Sequence, residues 1–514
     1  MSEPLPAELR PEVVRPHPLA AAARLAGVAD IRPEWDQILL SGLVHDSRRI
    51  RPGDLYAALP GSNTHGAVHG RSALAAGAVA ILTDPEGSRI LQPHDPPTPV
   101  LVVPAPRHVL GPLAAWLYDH PGRALLLLGV TGTAGKTTTT YLLESGLQAA
   151  GHRTGLIGTV QTRIGDQTVT SAFTTPEAPD LQALFALMRE RGSTAVAMEV
   201  SSHALAYGRV AGTTFDVALF TNLSQEHLDF HGSMAAYFAA KTLLFTAGYA
   251  NRGVVNADDG HGRRLATLAT VPLVTFSASG DPGADWRADR VRLGPEGSTF
   301  EVTGPAGQAE VAIRLPGPFN VENALGAIAT LVAADVSLDA AVAGMAAVTG
   351  TPGRMERVEA GQDFLAIVDY AHKPASLEAV LGAVREVTKG RVILVVGCGG
   401  DRDRGKRPMM GRIAAESADL VVFTNDNPRS EDPLSIIAAM QSGAEQVPSG
   451  DRAELLVERD RGAAIALAVG RAAAADAIVV AGKGHEQGQE TAGVIRPFDD
   501  RAVLRAAIEA GTPA

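Results

Sequence analysis

The sequence predicts an α/β protein of three domains whose sheets are largely parallel. Its 514 residues exceed what one hydrophobic core can organise, and this length corresponds to about three domains. Short apolar runs typical of strands alternate with Ala- and Leu-rich helical stretches through most of the chain. Nearly every apolar run ends in a polar, glycine-rich or charged cluster. That edge is where open α/β sheets bind their ligands.

Three blocks divide the chain. Residues 1–121 contain LYAAL, AVAIL and PVLVV and end in a helix closed by DHPGR. Residues 122–350 begin with ALLLLGV and continue through TAVAMEV and DVALFTNL. The Gly/Pro break TGTPGR leads into residues 351–514, which contain FLAIVDYAH, RVILVVGCGG, LVVFTNDNPR and AIVVAGKGHE. We therefore expect one domain per block, each built on its own strands.

Composition excludes several classes of protein. The net charge of −11 argues against a protein whose main task is to grip nucleic acid, because that task needs a basic surface. The single cysteine, Cys398, permits no intramolecular disulfide and no cysteine-based metal cluster, and we expect it to be a small buried residue. The Pro-rich start lacks the apolar core of a secretory signal, and no apolar run is long enough for a membrane span. A cytoplasmic protein is expected.

The stretch GVTGTAGKTTTT, residues 129–140, has the features of a phosphate-binding loop but not the usual spacing. The pattern G-x-x-x-x-G-K-[ST] would place glycine at Val130. A strand-like run precedes the stretch and a helical one follows it, which is the context that such a loop requires. Lys136 could reach terminal phosphates, and the Thr137 hydroxyl could bind Mg²⁺. Kinases, motors and ligases all use such loops, so this motif alone leaves the reaction open.

A second group of polar residues follows the next two predicted strands. Glu199 ends the run TAVAMEV, and His227 and His231 flank Asp229 in HLDFH. Oxygen ligands suit Mg²⁺, so Glu199 together with the loop threonine is a chemically sensible cation site. Lys241 lies further on in a helical stretch, and its position alone would indicate only a solvated lysine.

Together, GTxGKTT, MEVSSH and HLDxHG followed by AK resemble the Mur ligases, the ATP-dependent amide-forming enzymes of peptidoglycan assembly, and within them the tripeptide-synthetase branch. The shorter loop is normal in that family, so Val130 is no defect. Ala134 stands where many relatives carry Asn. The resemblance implies a central ATP-binding domain, a Rossmann-like C-terminal domain, and ATP and Mg²⁺ as co-substrate and cofactor. The residues that it assigns to ATP are Gly132, Thr133, Ala134, Gly135, Lys136, Thr137, Thr138, Asn320, Arg354 and Asp369, with Asn323 beside them.

The resemblance also implies a UDP-substrate site and a catalytic centre. Tyr207 replaces a Gln found in some relatives. Lys241 aligns with a carbamylated lysine, and a carbamate would turn the amine into an oxygen ligand for Mg²⁺. The residues implied for the UDP-linked muramoyl substrate are Ser47, Thr174, Thr175, Ser201 and Arg209. Those implied for catalysis are Lys136, Glu199, His227 and Lys241 (N6-carboxylysine), and those for the metal are Thr137, Glu199, His227 and Lys241.

The family reaction needs charge neutralisation rather than a protein nucleophile. A substrate carboxylate attacks the γ-phosphate of ATP to give an acyl phosphate, and an incoming amine then displaces phosphate. Because the first step brings two anions together, the loop lysine, the helix N-terminus and Mg²⁺ would supply most of the catalysis.

The third block is expected to select the amine. Its motif TNDNPR resembles the signature for meso-diaminopimelate, whose second carboxylate an arginine fork can hold. An acid such as Glu486 suits the distal ammonium. The residues implied for this amino-acid site are Arg402, Asp426, Asn427, Pro428, Arg429, Gly482 and Glu486. L-Lysine or L-ornithine remains an alternative, with Arg429 on the α-carboxylate.

There are two rival interpretations, one within the same class of ligases and one outside it. Another ligase of the class, such as a D-glutamate-adding or dipeptide-adding Mur enzyme or a folylpolyglutamate synthetase, is disfavoured by DNPR and by DSRRIRPGDLYAAL in the first block. A nucleotide-driven motor or binding protein would not need the HLDFH and lysine cluster. The expected partners are small molecules only: ATP, UDP-MurNAc-dipeptide and a diamino acid. We expect a monomer.

Overall fold

A computed structural model describes residues 9–61, 63–91, 98–169, 173–294 and 296–511. It confirms the predicted α/β class with parallel sheets. The chain forms two compact units, Met1–Phe276 with Gly326–Ala341, and Ser277–Leu325 with Val342–Ala514. The boundaries predicted near residues 121 and 350 stay predictions. No helix within the described ranges is both long and apolar enough to cross a membrane.

The first unit opens with six short strands: β1 (His17–Pro18), β2 (Leu39–Leu40), β3 (Gly42–Val44), β4 (Asp54–Ala57), β5 (Ala80–Thr83) and β6 (Val100–Val102). β1 pairs with β2, and the other four form a parallel sheet in the order β3-β4-β5-β6. The core under this sheet includes Leu55, Leu82 and Leu101, all fully buried. The helices are α1 (Leu19–Leu25), α2 (Gly70–Ala75), α3 (Pro85–Ile90) and α4 (Pro106–Leu117), with 3-10 turns at Pro33–Gln37, Ser47–Arg49 and Gly66–His69.

Eight further strands of this unit belong to a larger sheet: β7 (Leu126–Thr131), β8 (Thr154–Ile157), β9 (Thr162–Ile164), β10 (Gln167–Val169), β11 (Ala195–Glu199), β12 (Phe215–Phe220), β13 (Ala250–Asn256) and β14 (Leu273–Ser277). Their order is β10-β9-β8-β11-β7-β12-β13-β14. The strands from β8 to β14 in this order are parallel, and β9 and β10 add an antiparallel edge beside β8. The helices are α5 (Lys136–Ala149), α6 (Ala178–Glu190), α7 (Ser202–Ala206), α8 (Leu228–His231), α9 (Met234–Thr242) and α10 (Gly260–Leu268).

The central strands of this sheet are apolar on both faces because helices cover both sides. Their register fixes where the polar loops emerge. Glu199 at the end of β11 pairs with Val130 of β7, and Phe220 at the end of β12 pairs with Thr131. The loops that follow β7, β11 and β12 therefore leave the same edge of the sheet.

The second unit contains an antiparallel meander and a mostly parallel sheet. The meander is β15 (Trp286–Gly294), β16 (Gly297–Gly304) and β17 (Gly307–Ile313), and helices α11 (Pro318–Ala333) and α12 (Leu338–Ala347) follow it in the chain. The later strands are β18 (Glu356–Arg357), β19 (Leu365–Asp369), β20 (Val392–Val396), β21 (Leu420–Phe423), β22 (Glu454–Val457), β23 (Ala477–Ala481), β24 (Gly488–Thr491) and β25 (Val494–Pro497). The later helices are α13 (Pro374–Val387), α14 (Lys406–Ser417), α15 (Pro433–Ala444), α16 (Arg461–Arg471) and α17 (Asp500–Gly511).

The sheet of the second unit has the order β18-β19-β23-β20-β21-β22, with only β18 antiparallel, and an apolar cluster packs on each face. Strands β19, β20, β21 and β23 each end at one of the polar segments singled out in the sequence: DYAH, GCGGDRDRGKR, TNDNPR and GKGHE. β24 and β25 form a separate hairpin.

Candidate functional site

The phosphate loop lies between β7 and α5, as its motif predicts. Val130 is inside the strand, and α5 begins at Lys136. Gly132 has a φ of 154°, and a side chain there would come within 1.9 Å of the Thr221 hydroxyl. Gly135 caps the helix with a φ of 84°. Both glycines are therefore required by conformation. A helix N-terminus that follows such a turn is the kind of site that binds an anion.

The segment after β12 fixes the shape of this loop. The Asn222 carbonyl accepts from the Thr133 amide, and its side-chain Oδ1 accepts from the Ala134 amide, each at 2.9 Å. The Thr221 hydroxyl donates to the Ala134 carbonyl at 2.7 Å. Sequence reasoning singled out this segment as a site loop but not Asn222, since nothing in a lone Asn distinguishes an anchor from a turn residue.

Two lysines predicted for catalysis meet at one carbonyl of the loop. Lys136 Nζ donates to Gly132 O at 2.9 Å and to Thr133 O at 3.1 Å. Lys241 Nζ, on α9, donates to Gly132 O at 2.8 Å and lies 4.9 Å from the centre of the Tyr237 ring. Lys241 is only 1% exposed. Lys241 is therefore buried against the phosphate loop and is not a solvated side chain on its helix.

Glu199 lies in a hydrogen-bonded network with residues predicted for the muramoyl substrate. Its carboxylate is buried and accepts from the Thr159 amide at 2.8 Å and from the Thr159 hydroxyl at 3.1 Å. The Thr174 hydroxyl lies 3.0 Å from that of Thr159. The Thr175 hydroxyl donates to the Glu199 carbonyl at 2.8 Å and accepts from the Ser201 amide at 3.1 Å. Thr159 was not predicted from the sequence.

Arg209 extends the same network. Its guanidinium donates to the Thr175 carbonyl at 3.2 Å and pairs with Glu177 at 3.1 Å. It also lies over the rings of Phe173 and Tyr207, at 4.8 and 5.8 Å from their centres. Tyr207 thus packs beside the arginine.

The two predicted serines have local roles in the fold. The Ser201 hydroxyl accepts from the Ala204 amide at 3.1 Å and so caps α7. Ser47 opens a 3-10 turn after β3 that the Asp46 side chain caps. The structure brings Ser201 into the Thr175 network, whereas no hydrogen bond joins Ser47 to that network among the described residues.

His227 lies in a cluster of aromatic rings. Its backbone is left-handed, with a φ of 55°, which is uncommon for a residue other than glycine. The His203 ring is 4.5 Å away, edge to face, and burial lowers the pKa of His203. His231 contacts the Ser202 hydroxyl at 3.0 Å, and Asp229 is exposed. Across the described residues, no three His, Cys, Asp or Glu side chains converge as metal ligands.

The nucleotide residues predicted in the second unit surround the end of β19. The Asp369 carboxylate accepts from the Met355 and Ala371 amides, each at 2.7 Å, and burial raises its pKa. The Arg354 guanidinium lies over the Tyr370 ring at 4.6 Å.

Asn320, near the start of α11, donates to Pro316 O at 2.7 Å and accepts from Asn323 at 3.1 Å. Both asparagines are buried. Their side chains therefore form a fixed pair.

The predicted amino-acid site is assembled from three strand ends. The Asn427 amide donates to Glu486 Oε2 at 2.8 Å. Asp426 is buried, which raises its pKa, and a side chain at Gly482 would come within 2.6 Å of Asp426 Oδ2. The glycine, with a φ of 115°, is required by this close approach.

Arg429 is held in a fixed orientation beside these residues. Its backbone is left-handed, with a φ of 53°. Its guanidinium donates to Gly400 O at 2.7 Å and lies 3.5 Å from the Glu490 carboxylate. A side chain at Gly399 would approach both Arg429 Nη1, at 3.0 Å, and Arg402 Cγ, at 3.8 Å. The two predicted arginines therefore lie against the same glycine.

Pro428 and Cys398 have structural roles in this unit. The Pro428 carbonyl accepts from the Glu431 amide at 3.1 Å and closes the turn after Asn427. Cys398 is buried, and burial raises the pKa of its thiol to about 12. A thiol that stays protonated at neutral pH is a poor nucleophile, which agrees with the structural role predicted for it.

Three family models match the chain in succession. They describe a Mur ligase family catalytic domain over residues 40–118, a Mur ligase middle domain over 130–331 and a Mur ligase, glutamate ligase domain over 353–484.

Curated relatives match almost end to end. UDP-N-acetylmuramoyl-L-alanyl-D-glutamate–2,6-diaminopimelate ligase of Streptomyces coelicolor is 56% identical over 98% of this chain and 99% of its own length. The Bacillus licheniformis protein of the same name is 42% identical over 91% and 94%.

Solved structures agree with this assignment. One of a UDP-N-acetylmuramoyl-L-alanyl-D-glutamate–2,6-diaminopimelate ligase has a TM-score of 0.68 and 31% identity, covering 96% of this chain and 99% of that one. MurF from Acinetobacter baumannii has a TM-score of 0.67 at 19% identity, which supports the fold alone. With the family models and relatives covering the chain from its first sheet to its last, this protein belongs to the Mur ligase family.

Proposed function

We propose that the protein is an ATP-dependent ligase that adds meso-diaminopimelate to the D-glutamate of UDP-N-acetylmuramoyl-L-alanyl-D-glutamate, in the synthesis of a peptidoglycan precursor. Relatives that cover nearly the whole chain carry this name. The observation that carries the proposal is that the segment after β21 holds Arg429 against Gly400 O and, two residues earlier, bonds Asn427 to the acid Glu486. A diamino dicarboxylic acid offers a carboxylate and an ammonium to such a pair.

The chemistry follows from the two halves of the reaction. The glutamate carboxylate of the substrate attacks the γ-phosphorus of ATP, the bond to the bridging oxygen breaks, and ADP leaves. The amine then attacks the acyl phosphate carbon, and inorganic phosphate leaves as the amide forms and the amine loses a proton. Lys136 and the N-terminus of α5 would stabilise the phosphate charge, and Arg209 with the threonines Thr174 and Thr175 would bind the muramoyl substrate.

Mg²⁺ fits the donor set of the first unit on one condition. Thr137 and Glu199 offer a hydroxyl and a carboxylate, which are oxygen donors, and His227 adds a ring nitrogen. Lys241 as an ammonium would repel the cation, so it fits only as the carbamate, an N6-carboxylysine. When bound, the ion would neutralise phosphate charge. We propose Thr137, Glu199, His227 and carbamylated Lys241 as its ligands.

The enzyme would act as a cytoplasmic monomer on small molecules and would not bind nucleic acid. Its domains would divide near residues 121 and 350.

The test is phosphate release from ATP in the presence of Mg²⁺ and UDP-N-acetylmuramoyl-L-alanyl-D-glutamate. Parallel reactions contain meso-diaminopimelate, L-lysine, L-ornithine or no amino acid. Release with diaminopimelate alone is expected. Release only with lysine or ornithine would keep the ligase and move Arg429 to the α-carboxylate. The absence of phosphate release with all three amino acids would overturn the proposal.

A further inference from the structure

We infer that Lys483 is a positioning residue of the amino-acid site, which holds the Glu486 carboxylate and the Asn427 amide in the orientation that receives the distal ammonium of the amino acid. The inference rests on the proposed function and deepens it. Lys483 lies in the GKGHE segment directly after β23.

Three side chains form a closed set of hydrogen bonds. Lys483 Nζ donates to Glu486 Oε2 at 3.0 Å and to Asn427 Oδ1 at 3.1 Å. Asn427 Nδ2 donates to the same Glu486 oxygen at 2.8 Å. The backbone amide of Glu490 donates to Asn427 Oδ1 at 3.0 Å. Two donors on Oδ1 and a carboxylate on Nδ2 determine which way the Asn427 amide faces.

Lys483 and Glu486 differ in how deeply their side chains are buried. The Lys483 side chain is completely buried, whereas that of Glu486 is 33% exposed. The lysine cannot touch a substrate, but the acid can. Among the described residues, Lys483 and Asn427 both donate to Oε2 of Glu486, and no bond is donated to Oε1. One carboxylate oxygen is therefore held by the protein and the other remains to accept from an ammonium.

A cation at this position also acts on a neighbouring carboxyl. Burial raises the pKa of Asp426, and the positive charge of Lys483 opposes that rise, as do Arg461 and Lys406. The bonds to Glu486 Oε2 and Asn427 Oδ1 are made by Lys483 itself. Their loss would free both side chains to turn, so loss of the lysine should weaken amino-acid binding selectively.

The experiment compares Lys483→Met with wild type in the phosphate-release assay. The exposed lysine Lys389, which contacts none of these residues, supplies the control Lys389→Met. We expect Lys483→Met to raise KM for diaminopimelate by about tenfold or more, from the loss of charge-assisted bonds, with KM for ATP within about twofold of wild type.

Equal rises in KM for ATP and diaminopimelate would overturn the inference, because they would indicate a general structural role. A rise in KM for diaminopimelate of less than about twofold would overturn it too, because the two bonds of Lys483 would then not position the site. If Lys483→Met does not fold, Glu486→Gln is compared with the double variant Glu486→Gln/Lys483→Met. A lysine that acts through Glu486 should add less than about twofold in that background, and a further tenfold rise would contradict its role. If the wild-type protein released no phosphate with diaminopimelate, that result would instead refute the proposed function, before any variant is made.

Discussion

The phosphate loop of the first unit and the amino-acid site of the second are built from different parts of the chain. In the loop, consecutive residues present backbone groups, and the glycines Gly132 and Gly135 make the path possible. In the amino-acid site, side chains from the ends of β21 and β23 contact one another, and the segment after β20 contributes the Gly400 carbonyl. A backbone site should tolerate most side-chain changes, whereas each member of a side-chain site should matter.

The largest expected effect is at the one side chain on which the backbone site depends. Lys136→Ala removes the cation that would face the terminal phosphates, and it also removes two bonds to loop carbonyls. We expect kcat/KM for ATP to fall by about 10²–10³-fold, as when a group that stabilises developing charge is deleted. The measurement is phosphate release at saturating diaminopimelate.

The control for Lys136→Ala is Lys389→Ala, which should match wild type. Thermal unfolding of both variants separates lost chemistry from lost folding. A fall of less than about tenfold in Lys136→Ala would show that the backbone amides alone carry the phosphate, and the contrast between the two sites would then be sharper than we propose.

What could be predicted from the sequence follows the same division. The loop could be recognised because strand, glycines, lysine and helix are contiguous, and the structure places Val130 in the strand as the motif requires. Asn222, Thr159 and Lys483 were missed. Their contacts depend on which strand ends lie side by side, and that register is not written in any one segment.

The second-largest effect is expected at Arg429. Arg429→Ala removes the fork, leaves the Gly400 carbonyl without its 2.7 Å partner and leaves Glu490 without its cation. We expect KM for diaminopimelate to rise by about 10- to 100-fold, the equivalent of about 1.5–3 kcal/mol for bonds to a charged group, with KM for ATP unchanged. Steady-state kinetics with each substrate varied in turn measures both.

Arg404→Ala is the matched control for Arg429, since Arg404 is 75% exposed and forms an ion pair with Glu431 at 3.3 Å. Arg429→Lys should fall between alanine and wild type, because lysine keeps the charge but loses the fork. Equal KM values for Arg429→Ala and Arg404→Ala would remove the arginine from the proposed site.

A third prediction concerns pH, since side chains titrate and backbone amides do not. Burial, with Arg354 and Arg501 nearby, lowers the pKa of His485 to about 4 from 6.5. Below pH 6.5 the unfolded chain takes up a proton that the folded ring refuses until about pH 4. Stability is therefore lost as pH falls across that window. His485→Phe should lose about 1–2 kcal/mol less than wild type between pH 7 and 4.5, allowing for the partial exposure of the ring.

Urea unfolding of both proteins at the two pH values measures this difference. His372→Phe, which also alters a ring packed on Tyr370, serves as the comparison for loss of a histidine in the same unit. Identical pH dependence in wild type and His485→Phe would show that the ring is protonated as readily in the folded chain as in the unfolded one.

The smallest effect is expected where the comparison is most direct. Ala134 lies exposed in the phosphate loop, and its contacts are those of its backbone, the amide to Asn222 Oδ1 and the carbonyl to the Thr221 hydroxyl. Ala134→Asn adds an amide side chain, and it should change KM for ATP by less than about twofold, because the loop acts through N–H groups. Asn222→Ala, which removes the anchor of that amide, should raise the same KM several-fold. If Ala134→Asn instead altered ATP binding as strongly as Asn222→Ala, the loop would depend on its side chains, and the distinction between a backbone site and a side-chain site would fail.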